Sequence, residues 1–149
     1  MSDRRVSVLH GVNLDQLGSR APEHYPAITL SELEVAIGRF ARDFDLTVTF
    51  EQTNHEGAYC EALHEAAETA DALLLNPGAW THYSYAIRDA LEIAALPAVE
   101  VHLSAVDERE EWRPRSVIAD LCVGRVSGKG VDGYREGLEI LARELEQRA

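Results

Sequence analysis

Residues 72–103 read ALLLNPGAWTHYSYAIRDALEIAALPAVEVHL, and this stretch decides the fold. Ala72 to Asn76 reads as a short strand, a helix follows near Ser84 to Ala95, and Ala98 to Leu103 reads as the next strand. Two strands joined by a helix of crossover length pair in parallel, with a right-handed connection that returns the chain to the same sheet. The alternation continues on both sides. Upstream, Val6 to His10 is a β-rich run, and Thr29 to Phe44 carries Leu30, Leu33, Ile37, Phe40 and Phe44 as one helical stripe. Thr29 with Glu32 fits a capping box, in which each side chain satisfies an orphan backbone donor at the helix start. Leu46 to Gln52 reads as a strand, and Gly57 to Ala70 as a helix with Cys60, Leu63 and Ala67 inward. Downstream of a long polar loop come a fifth strand, Cys122 to Ser127, and a closing helix, Val131 to Glu146, with Tyr134, Leu138, Leu141 and Leu145 as its stripe.

These elements predict an α/β fold: a doubly wound, flavodoxin-like, five-stranded parallel sheet with helices on both faces. No repeat and no Pro, Ser or Gly linker divides the chain, so residues 1–149 are expected to form a single domain. Apolar residues make up 46% and charged residues 27%, which excludes collagen-like, low-complexity and wholly disordered chains. With 26 Asp and Glu against 14 Lys and Arg, the formal charge of -12 repels phosphate backbones and anionic lipid, so neither nucleic acid nor membrane is an expected partner. No apolar run approaches the roughly 20 residues of a membrane span, and the N-terminal stretch lacks the h-region of a signal peptide. Two distant cysteines, Cys60 and Cys122, suit a reduced, cytoplasmic life. The Glu and Arg residues of the last helix read as solvated surface.

The polar residues hardest to explain as surface fall just past predicted strand ends: Asn13; Asn54, His55 and Glu56; Asn76; His102 and Ser104. In open parallel sheets that edge binds ligands. Glu100 and His102 stand two apart on a strand and leave the same face. A carboxylate there can fix the tautomer of the imidazole or raise its pKa, making His102 a candidate acid, although a strand-end histidine can equally be bonded for stability alone. Arg109 and Arg113, at i and i+4 after that strand, can point at one ligand carboxylate or pair locally with Glu108, Glu110 and Glu111. The loop LGSRAPEHYP is longer than a tight strand-to-helix connection needs and has the character of a lid. It carries Arg20 and Tyr25. A tyrosine acting as a base near neutrality needs a cation close by, each pKa unit of lowering taking about 1.4 kcal/mol, and Arg20 can supply one. The alternative is a packing tyrosine and a solvated arginine.

Other chemistries are poorly served. His10, His55, His64, His82 and His102 show no HExxH or HxxxH spacing and no cysteine pair supports zinc, so no metal is expected. GxxxxGK[ST] and GxGxxG are missing, and SGKGVDGY after the last strand reads as a Gly-rich turn into a helix, so no nucleotide cofactor is expected. Cys60 and Cys122 read as small core residues.

The blocks HGVNLDQLGSRAPEHY, TNHEG, LLLNPGAWTHYSYAIRDAL, VEVHLS and REEWR, in this order and spacing, resemble the type II 3-dehydroquinate dehydratases over nearly the whole chain. The resemblance implies a reversible elimination of water from 3-dehydroquinate to 3-dehydroshikimate through an enolate, without a Schiff base or cofactor. In that frame Tyr25 is the base, Arg20 keeps its phenolate accessible, and His102 protonates the departing hydroxyl. Glu100 orients His102, and Asn13 helps hold a water at the enolate oxygen. Asn76, His82, Leu103, Ser104 and Arg113 hold substrate, with Arg109 on the closing lid. Asp89 matches an acid that reaches a neighbouring subunit's site, and the family assembles as dodecamers built from trimers. Lys129, the only lysine in the chain, lies in a glycine turn poorly placed for an imine. The same step serves the shikimate pathway and quinate catabolism.

The chain departs from the family pattern at His10-Gly11-Val12-Asn13, where NGPN is usual. Ala21 removes a lid carboxylate, Pro26 biases Tyr25 toward extended backbone, and Ala105 and Asp107 differ in the loop after the fourth strand. Arg125 and Lys129 interrupt a usually apolar strand and turn, which bears on subunit contacts. Ala21, Pro26 and Ala105 motivate a second reading, the same elimination on another polyhydroxy keto acid. A third, of a different class, is a non-catalytic module that binds a small carboxylate.

Overall fold

The computed structural model describes residues 4–23, 27–105 and 109–149. Five parallel strands, β1 (Arg5–His10), β2 (Thr47–Gln52), β3 (Ala72–Asn76), β4 (Ala98–His102) and β5 (Gly124–Ser127), form one sheet in the order β2-β1-β3-β4-β5. This is the doubly wound, flavodoxin-like order: β2 is added on one side of β1 and β3 to β5 on the other, so the direction of winding reverses between β1 and β3 while every strand stays parallel. Helices α1 (Leu30–Asp43) and α4 (Asp132–Arg148) cover one face through Leu33, Ile37, Tyr134, Leu138 and Leu141. Helices α2 (Glu56–Thr69) and α3 (Tyr85–Ala94) cover the other through Tyr59, Leu63, Ile87 and Leu91. Covered on both sides, β3 and β4 are buried at every position: β3 is an apolar run up to Asn76, whereas β4 carries Glu100 and His102 into the interior between apolar residues. Among the described residues no helix is long and apolar enough to cross a membrane.

Local signals are realised as read in most places. Thr29 accepts from the Glu32 amide (3.1 Å) while the Glu32 carboxylate accepts from the Thr29 amide (2.9 Å), completing the capping box of α1. Two details differ. The inward stripe of α2 is Tyr59, Ala62, Leu63 and Ala66, not Cys60, Leu63 and Ala67: Cys60 is half-buried and Ala67 is exposed. Tyr59 sets that phase, because its hydroxyl donates to the buried Leu9 carbonyl (3.1 Å). Strand β5 starts at Gly124 rather than Cys122, since the chain reaches the sheet from a 3-10 turn at Ala119–Leu121 and enters pairing through the Val123 amide on Ala98 O (2.8 Å).

At the switch point the two strand ends touch. The Gly11 amide donates to Asn76 O (2.7 Å), and a Cβ at Gly11 would meet Pro77 O at 2.2 Å. Gly78, at φ +69°, would bring a Cβ to 2.6 Å from Val12 O. Only glycine permits backbone to meet backbone this closely at both positions.

His10, at the end of β1, is wholly buried, its ring stacked with Phe50 (6.2 Å between centroids). Its Nε2 lies 3.2 Å from a Glu34 carboxylate oxygen, but neither ring nitrogen has a well-aligned hydrogen-bond partner among the described residues. Burial lowers its pKa from 6.5 to about 4, and burial raises that of Glu34. Because the folded value is the lower one, the unfolded chain takes up a proton between the two values that the native protein refuses. The stability this represents is present above pH 6.5 and is lost as the pH falls toward 4, amounting to about 3 kcal/mol. Urea unfolding at pH 7 and pH 4.5 checks this: the stability lost between them should shrink by about 2 kcal/mol or more in His10→Asn, and an unchanged loss would refute it.

Candidate active site

The ends of β1, β3 and β4 open into one cleft whose lining includes Val12, Asn13, Arg20, Asn76, His82, His102, Leu103, Ser104, Arg109 and Arg113. Of the strand-end polar residues, Asn54, His55 and Glu56 stay outside it. They follow β2, an edge strand one place beyond β1, and serve the scaffold: Asn54 accepts from the Asn13 amide (2.8 Å) and Gln52 Nε2 (3.1 Å), and Glu56 accepts from the Ser84 hydroxyl. The Asn54 contact holds Asn13 in the left-handed conformation (φ 69°), which asparagine tolerates better than most residues.

Asn76 is pinned from two sides. Its Oδ1 accepts from the Gly78 amide (3.1 Å) and its Nδ2 donates to the Tyr134 hydroxyl of α4 (3.3 Å). The adjacent 3-10 turn, Gly78–His82, delivers His82, whose Nδ1 donates to Arg115 O (2.7 Å). Burial lowers the His82 pKa, so the ring is neutral around neutrality and presents Nε2 as an acceptor. Trp112 packs edge-on against it (5.0 Å), and the Arg113 guanidinium lies 4.3 Å from the Trp112 ring centroid.

Glu100 and His102 share a face of β4, and both are buried. His102 Nε2 lies 2.6 Å from Glu100 Oε2, which also accepts from Arg125 Nε (2.9 Å); Oε1 accepts from the Ser116 hydroxyl (2.7 Å). Burial pushes the Glu100 pKa up, but the His102 contact, the Ser116 hydroxyl and the Arg125 charge outweigh it and leave the group below its ordinary value. An ionised carboxylate can only accept, so Nε2 of His102 carries its hydrogen and Nδ1 is the nitrogen left for proton exchange. The stability-only reading of this histidine does not account for its ring lining the cleft, stacked 6.3 Å from His82.

Arg109 and Arg113 pair locally with Glu110, one of the two readings of their spacing. Arg113 Nε holds both Glu110 oxygens (3.1 and 3.0 Å), Arg109 lies 3.6 Å from the same carboxylate and donates to Ser104 Oγ (3.2 Å), and both arginines line the cleft. With Arg20 they make the lining cationic, and none of the described residues that line the cleft is acidic, in a chain of net charge -12. Tyr25 lies outside the described residues. Asp89 is exposed on α3, away from this cleft. Burial pushes the thiol of Cys122 up to about 12 and raises that of Cys60, which makes neither a ready nucleophile.

Several participants carry no signal in the sequence that marks them as part of the site, Leu14 and Gly78 of the lining among them. Val12 and Ala79 give the cleft its apolar floor, Trp112 is visible only within REEWR, and Arg125 reads as an interruption of a strand although it grips the buried carboxylate.

The Dehydroquinase class II family profile matches residues 4–142. A 3-dehydroquinate dehydratase of Bacillus pumilus is 47% identical over 137 residues, covering 92% of this chain and 93% of its own. The crystal structure of type II dehydroquinase from Propionibacterium acnes superposes with a TM-score of 0.90 at 37% identity, covering 96% of this chain and 98% of that one. That of type II dehydroquinase from Butyrivibrio crossotus gives 0.88 at 39% identity, covering 92% and 96%. Matched from β1 into α4 in sequence and fold alike, the chain belongs to the class II dehydroquinase family.

Proposed function

We propose that this protein dehydrates 3-dehydroquinate to 3-dehydroshikimate, reversibly, by general acid-base catalysis. The observation that carries the reading is a cleft whose charged lining is arginine, set beside an imidazole whose far nitrogen is held by a buried carboxylate. A hydroaromatic acid fits that chemistry: its carboxylate suits Arg113, and its hydroxyls suit Asn76, His82 and Ser104.

In this reading Tyr25, as phenolate, takes a proton from the carbon beside the ketone, and the electron pair moves to the ketone oxygen as an enolate. Arg20 stabilises the phenolate, and Asn13 holds a water at the enolate oxygen. The pair then returns to form the carbon-carbon double bond. The carbon-oxygen bond to the β-hydroxyl breaks as His102 delivers its proton, and water leaves. No imine is needed. Lys129, the chain's only lysine, is exposed, lies 2.5 Å from Glu136 and does not line the cleft. Arg109 closes with the lid over bound substrate. Asp89, exposed on α3, reaches the cleft of a neighbouring subunit within a dodecamer of trimers.

Incubating the purified protein with 3-dehydroquinate should produce the enone absorbance of the product. Turnover confined to a different keto acid would favour the alternative elimination, and none at all across neutral pH would leave the reading without support. Tyr25→Phe and His102→Ala should each lower kcat by about 10²- to 10⁴-fold, and parent-like rates in both would assign catalysis elsewhere. Borohydride added during turnover should leave the protein's mass unchanged; an adduct on Lys129 would contradict the enolate route.

A further inference from the structure

Arg125 is the one charged side chain of β5, and its Cα is paired in register with Glu100. From there its guanidinium reaches two places. Nε donates to Glu100 Oε2 (2.9 Å), the same oxygen that holds His102 Nε2 (2.6 Å), and Nη2 donates to Pro114 O (3.1 Å), one residue from the cleft-lining Arg113. A carboxylate that faces only an imidazole favours the imidazolium and weakens it as an acid. A guanidinium on the same oxygen draws off part of that stabilisation, and its own positive charge disfavours a second cation nearby. The ordinary alternative, a solvated strand arginine, does not fit a side chain only about a quarter exposed and bonded at both ends of its fork.

We propose that Arg125 is a positioning residue for the dehydration: by sharing Glu100 Oε2 with His102 it sharpens His102 as a proton donor, and by clasping Pro114 it fixes the segment that carries Arg113. The proposal rests on the functional reading above. Among the described residues Arg20 and Arg109 line the cleft with His102, but the cation bonded to the Glu100 carboxylate is Arg125, and the other groups facing the pair do not supply the effect. His82 is neutral, Ser116 is uncharged, and Tyr59 from α2 and Cys122 before β5 are kept protonated by burial. Arg113 from the following segment is already committed to Glu110.

The test compares parent, Arg125→Met and Arg125→Lys, each checked for native circular dichroism, in kcat and KM for 3-dehydroquinate from pH 5 to 10. In Arg125→Met the alkaline limb of kcat/KM should move up by about one pH unit, kcat near neutrality should fall by about 10-fold, and KM should rise a few-fold. Arg125→Lys should return the limb most of the way, because it restores the charge, while its KM stays raised, because one ammonium cannot span both acceptors. If Arg125→Met does not fold, Arg125→Gln takes its place as the neutral variant. A limb that stays within about 0.2 units of the parent in a folded neutral variant overturns the proposal while parent turnover keeps the functional reading. Should the parent not turn over 3-dehydroquinate, NMR titration of the His102 ring decides separately: it should titrate at higher pH in the neutral variant, and coincident curves overturn the proposal.

Discussion

A carboxylate wholly removed from water, that of Glu100, is the constraint on which the site depends. A buried charge without partners is costly enough that the surrounding structure must supply them, and removing one partner of such a group costs about 3–5 kcal/mol. Here the donors come from three places: His102 two residues along the same strand, Ser116 in the segment after it, and Arg125 on the neighbouring strand. Satisfying Glu100 therefore fixes the tautomer of His102, ties the segment bearing Arg113 to the sheet, and sets which face of β5 turns inward. Cleft geometry and local stability are one network, so a change to any member is felt by the others.

The sheet order makes that network useful. Crossing from β1 to β3 at the switch point leaves a crevice past the strand ends, and Gly11 and Gly78 bring the two backbones together beneath it. The floor is then rigid backbone and small apolar side chains, while the functional groups project from element ends and turns that have little freedom. Arg20, Arg109 and Arg113 add positive charge above this floor in an otherwise strongly acidic molecule. In a molecule whose net charge repels anions, these arginines give the cleft a local charge that suits one.

Much of the fold was legible because period and caps are local. The capping box at Thr29, the apolar run of β3 and the stripe of α4 needed only neighbours in sequence. The phase of α2 was not, because alanines fill both of its faces and the deciding contact is Tyr59 on Leu9, 50 residues away. The cleft was legible where strand ends mark it, at Asn13, Asn76 and His102, and misleading at Asn54, because strand order is not written in the sequence and β2 falls at the edge. Arg125 was unreadable for the same reason. Its meaning lies in its register with Glu100, and a four-residue edge strand is too short for its pattern to reveal that partner.

The most direct test of the account is the crystal structure of His102→Ala with 3-dehydroquinate bound. The account predicts the substrate in the cleft between Asn76 and Arg113, its carboxylate on the Ser104 and Arg113 side and its β-hydroxyl facing the space left by the His102 ring, with Glu100 still bonded to Arg125. A substrate lodged outside that cleft, or seated in it with the β-hydroxyl turned away from position 102, would contradict it.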